Sequence, residues 1–165
     1  MLRVKNKKTE KVIFYAIILL ILYQLQAIVF AKGGLLGVKP VILPLAVAGV
    51  AIFEGSTTGG TFGLFAGMLF DISYAQPLIE YTILLTALGI VIGLLSDSIL
   101  SRRFPSYLLC CVVSLIVVAA VQILGVVLFS SAEMPDLIRV ALRQTACSLL
   151  FAIPIYFPIK AIGRI

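Results

Sequence analysis

Long apolar runs constrain this chain more than any other feature. Residues 12–31, 78–96, 107–129 and 137–159 form largely apolar runs of 19 to 23 residues. A helix of that length rises about 30 Å, enough to cross the hydrocarbon core of a bilayer. In lipid every backbone N–H and C=O must find a partner inside the protein, so only helices or a closed barrel can cross. A barrel needs strands of alternating polarity. The runs here are continuous, so the expectation is an all-α integral membrane protein, one domain over residues 1–165, with about six transmembrane helices. The second and third apolar segments, 41–53 and 61–70, are short. Thirteen residues rise only about 20 Å. Either both span within a thin or protein-lined region, or they form a re-entrant hairpin; both routes return the chain to the same side.

Composition agrees. The chain is 62% hydrophobic and 12% charged, and its mean hydropathy is +1.20. Soluble domains carry about 25% charged residues. The net charge of +6 is concentrated at the start, in Arg3, Lys5, Lys7, Lys8 and Lys11. Beside an apolar run, such a basic tail (1–11) reads as a topology signal and a contact for anionic headgroups rather than a nucleic-acid site. With the N-terminus inside, inner segments hold nine basic residues, adding Arg102, Arg103, Lys160 and Arg164. Lys32 and Lys39 fall in outer links. The expected location is a bacterial plasma membrane, multi-pass, with both termini cytoplasmic. The first run is longer than the core of a signal peptide (about 7–15 residues), so it is read as an uncleaved span.

The signals for catalysis are weak. There is no histidine. Cys110, Cys111 and Cys147 lie inside apolar runs without metal-ligand spacing and read as small apolar fillers. No nucleophile–base set and no phosphate-binding motif occurs. The expectation is no enzyme, no cofactor and no metal. Gln24 and Gln26 in the first run are expected to face other helices, because amides in lipid need partners. Pro40 and Pro44 suit the first turn of a helix. Pro154 and Pro158 are expected to kink the last helix or end it early.

Gly55, Gly59, Gly63, Gly67 and Asp71 recur every fourth residue. On a helix they share one face, smooth enough for another backbone to approach closely. This face is the candidate helix-packing or partner site. Residues 54–60 read as a polar turn, with the third apolar segment starting at Thr61. The pattern Gly63, Gly67, Asp71 returns 26 residues later as Gly89, Gly93, Asp97; the frequency of glycine in membrane helices accounts for the echo most simply. Asp71, Glu80, Arg139 and Arg143 all fall near the outer interface in this topology. At least one of the two acids is expected to pair with one of the two arginines, since ionised groups at membrane depth need partners or water.

Lys39-Pro40 before an apolar run, then Glu54-Gly55, then Gly59 through Gly63 and Gly67 to Asp71, resembles the rod-shape-determining membrane protein MreD family. The specific part is residues 40–71. Length, span number and basic N-terminus also agree, whereas Tyr74-Ala75-Gln76-Pro77-Leu78 lacks a glycine common in that family after the aspartate. The resemblance implies a non-enzymatic scaffold of the bacterial cell-elongation machinery. Its implied partners are the bitopic protein MreC, a peptidoglycan glycosyltransferase and a penicillin-binding transpeptidase. It also implies an architecture similar to the S components of energy-coupling-factor vitamin transporters. A substrate-binding S component is therefore the alternative function.

Overall fold

In the computed structural model, residues 2–29, 40–74, 80–98, 104–129 and 134–163 are described. Six helices follow one another: α1 (Leu2–Gln24), continued by a π-helical turn (Leu25–Val29), α2 (Leu43–Glu54), α3 (Ser56–Tyr74), α4 (Glu80–Ser98), α5 (Phe104–Phe129) and α6 (Met134–Gly163). No strand occurs among the described residues. Among the described residues three stretches are long and apolar enough to cross a membrane: Glu80–Ser98, Phe104–Val127 and Ile138–Gly163. The fold is thus helical and of membrane character.

The centre of the bundle is α2. Every residue from 40 to 52 is buried, and Ile42, Leu43, Leu45, Val47 and Val50 have no exposed surface at all. Helices α3 and α4 cover one side of α2, and α5 and α6 cover another. Helix α1 and its π turn lie along the outside against α2, α3 and α6; between residues 11 and 27 Tyr15, Leu19 and Gln26 are buried and most of the other side chains are exposed. Twelve residues rise about 18 Å, too little to cross a bilayer. This helix needs no lipid contact, because protein surrounds it on every side.

A buried helix must satisfy the backbone groups at its ends from elsewhere. At the first end, the Val41 N–H donates to Ser148 Oγ of α6 at 2.8 Å. The Ile42 and Leu43 N–H groups both donate to Gln26 Oε1, at 3.0 and 3.4 Å. Pro44 has no N–H to place. At the other end, Ser96 Oγ of α4 donates to the Ile52 carbonyl at 2.8 Å, and the Gly55 N–H donates to the Ala51 carbonyl. Side chains from α4, α6 and the π turn thus act as caps for α2. Gln26 is 9% exposed and faces inward as expected; Gln24 is exposed and does not.

Three expectations change at this level. The polar turn over 54–60 is a single residue, Gly55, with φ 86° and ψ −174°. That conformation is essentially open to glycine alone, and it reverses the chain without a loop. Ser56, Thr57 and Thr58 therefore sit in the first turn of α3, where hydroxyl side chains are at home. Helix α3 begins five residues earlier than Thr61 and has 19 residues, about 28 Å, so the third segment is not short. Finally, α6 runs through Pro154 and Pro158 to Gly163; the prolines do not end it.

If Gln26 caps α2, Gln26→Leu strands two buried N–H groups and should destabilise the protein by about 2–4 kcal/mol. Gln24→Leu, on the exposed side of the same helix, should change stability by less than about 0.5 kcal/mol. Denaturation in mild detergent, followed by circular dichroism, measures both.

Candidate functional site

The glycine face packs against α4. Helices α3 and α4 run antiparallel, and the fit is close enough that a Cβ cannot be added without displacing backbone. At Gly63 it would strike the Leu85 carbonyl, at Gly67 the Thr82 Cα, and at Gly59 the Gly89 carbonyl at 2.8 Å and Ala51 at 2.6 Å. From the opposite side, Gly89 meets the Gly59 carbonyl and Gly93 meets Ser56. Small residues on both helices therefore let the two backbones touch. The face is occupied by the chain's own α4 and is not open to a partner.

Asp71 closes one end of this interface. Its Oδ1 accepts from the Tyr81 N–H at 3.1 Å. Its Oδ2 accepts from the Thr82 N–H at 2.9 Å and from Thr82 Oγ1 at 2.6 Å. A carboxylate at the start of a helix satisfies free N–H groups and complements the helix dipole. Asp71 thus caps α4 from the end of α3. The expected pairing of Asp71 or Glu80 with Arg139 or Arg143 involves residues of two different helix pairs. Helix α4 packs on α3 and α2, whereas α6 packs on α5 and the other side of α2. Arg139 and Arg143 are exposed on α6.

The 26-residue echo has a geometric counterpart. Gly59 faces Gly89, and Gly63 faces Leu85; shifting each pair by 26 residues, forward in one helix and back in the other, exchanges them. The same shift turns the contact of Gly67 with Tyr81 and Thr82 into that of Gly93 with Gly55 and Ser56. Asp97 then corresponds to Asp71. Its carboxylate lies beside the start of α3, its Oδ2 3.3 Å from where a Gly55 Cβ would be. Helices α3 and α4 are therefore related by a local twofold, with an aspartate at each end beside the first turn of the other helix.

A second polar cluster sits at the Glu54 end of α2. Lys11 Nζ lies 3.0 Å from Glu54 Oε1, and Tyr15 OH donates to the same oxygen at 3.1 Å. Sequence reading missed this pair because 43 positions separate its members, and only the burial of α2 against α1 brings them together. Beside it, Tyr156 stacks with Phe104, Tyr107 and Phe53 at 5.0 to 6.0 Å between ring centroids, and Lys160 Nζ lies 5.0 Å from the Tyr156 ring. Lysine and tyrosine at one level suit a bilayer interface.

These side chains hold helices together. Among the described residues no three potential metal ligands come together, and no buried side-chain nitrogen or oxygen lacks a hydrogen bond. Cys110, Cys111 and Cys147 are buried free thiols. A cleft bounded by Val41, Leu115, Val118, Ala119, Gln122, Gln144 and Thr145 has a volume of about 10 Å³, room for about one water. No protein-family model, curated protein or solved structure matches the chain.

The local twofold predicts matched costs. Gly63→Ala and Gly89→Ala should each destabilise by about 1–3 kcal/mol, from equivalent backbone clashes. Gly125→Ala, where a Cβ would meet nothing within 4 Å, should be neutral or slightly stabilising. Thermal unfolding of the three purified variants in detergent provides the comparison.

Proposed function

We propose that this chain is a non-enzymatic membrane scaffold of the bacterial cell-elongation machinery. In this reading it belongs with the MreD-like proteins, binds an MreC-like bitopic partner, and supports peptidoglycan synthesis and rod shape. It has about six membrane passes and both termini in the cytoplasm, as the basic residues of the tail and inner links favour. The motif that carries the resemblance, residues 40–71, is the stretch that builds the centre of the bundle and its closest helix contact.

One observation carries the reading. The middle of the protein is filled by the backbone of α2, and the polar side chains around it are engaged as helix caps. Small-molecule sites are typically about 300–1,000 Å³ with convergent polar groups. A scaffold needs the opposite, a rigid interior whose outer faces meet other membrane helices.

Purification from the native host under mild detergent tests the proposal. An MreC-like bitopic protein and a penicillin-binding transpeptidase should travel with the chain. Retention of a vitamin or of an energising ATPase module would replace the scaffold by the S-component function.

A further inference from the structure

Two amides stand two residues apart at the end of α1, and they lie on opposite sides of it. Gln26 is buried and accepts from the first N–H groups of α2. Gln24 is exposed, and among the described residues its side chain has no hydrogen-bond partner. Lys11, ion-paired with Glu54, stands at one membrane edge in the topology proposed above. Gln24 follows it on the same helix, about 20 Å into a hydrocarbon core of about 30 Å. Acyl chains offer an amide neither donor nor acceptor, so Gln24 needs a polar partner at that depth.

The exposed face that carries Gln24 has a regular pattern. Ile13, Ile17 and Leu20 precede it, exposed by 53%, 47% and 54%. From Ile13 to Gln24 the spacings are four, three and four residues. That is the spacing of heptad positions d, a, d and a, the seam of a two-helix contact. Isoleucine at a and leucine at d, as in Ile17 and Leu20, suit two parallel strands. Gln24 takes the next a position, where a single polar residue fixes the register of such a pair. The seam lies on the far side of α1 from Tyr15, Leu19 and Gln26, which hold α1 to its own bundle.

We propose that this face of α1 docks on the same face of a second copy of the chain, about a twofold axis along the membrane normal. Copies inserted with one orientation present parallel α1 helices, and in a parallel pair each a position meets its own equivalent. An amide both donates and accepts. Gln24 is therefore matched by Gln24 of the other copy, with no further group required. The apolar part of the seam brings the helices together, and the amide pair sets their register. This pairing does not draw on the scaffold reading.

Disulfide trapping of the full chain in native membranes tests the seam. The variants are Ile17→Cys, Gln24→Cys and, off the seam on the same helix, Val12→Cys. Val12 is 59% exposed. Cys110, Cys111 and Cys147 are buried, so the unmodified chain is the blank. Oxidation should give linked pairs of this chain from Ile17→Cys and Gln24→Cys, and none from Val12→Cys or the blank. No linked pair from either seam position, or as much from Val12→Cys, would overturn the docking face. Linkage of Gln24→Cys to a different protein in place of a second copy would overturn it as well. Gln24→Leu keeps the apolar seam and removes the amide. Energy transfer between labelled copies in lipid vesicles should show association weakened roughly three- to tenfold by Gln24→Leu, and largely restored in Gln24→Asn. Unchanged association of Gln24→Leu would overturn the role of the amide pair.

Discussion

A helix buried on all sides cannot leave its ends to water or headgroups. That constraint shapes this protein. Helix α2 is surrounded by five other helices, so its first N–H groups and last carbonyls must be met by neighbours. Gln26 on the π turn, Ser148 on α6 and Ser96 on α4 meet them. Each of these three polar side chains comes from a different helix, so the caps also fix where those helices stand around α2. Packing by apolar contact alone would allow sliding, because lipid is as apolar as the helix surfaces. The caps remove that freedom.

The contact of α3 with α4 works by the same logic. Glycine on both sides lets the backbones touch, and Asp71 caps the first turn of α4. Gly55 joins this pair to α2 by a one-residue reversal that other residues do not adopt without strain. The fold is therefore a central short helix, a rigid glycine-packed pair on one side, and the longer α5–α6 pair on the other.

Much of this was legible in the residues. Continuous apolar runs indicated helices in lipid, and the fourfold spacing of Gly55 to Asp71 indicated a close-packing face. Asp71 was marked, but its role was not: a carboxylate in sequence looks the same whether it meets an arginine or a helix N-terminus. Only the antiparallel placement of α3 and α4 decides between them. Helix α3 was read short because Ser56, Thr57 and Thr58 look like a loop, although they also suit a first helical turn. The pairing of Lys11 with Glu54 was invisible, since distance along the chain hides contacts between helices. Pro154 and Pro158 suggest a kink or an early end; the helix continues through both to Gly163, as neighbouring turns can hold a long membrane helix together at proline.

The central claim is that α2 fills the middle of the protein as a sealed, capped helix. Amide hydrogen exchange of the full chain in lipid nanodiscs tests this most directly. The account predicts that the amides of Leu43–Glu54 are among the slowest in the protein, protected at least as long as those in the middle of α5. Exchange of α2 within seconds to minutes, while α5 stays protected, would contradict it.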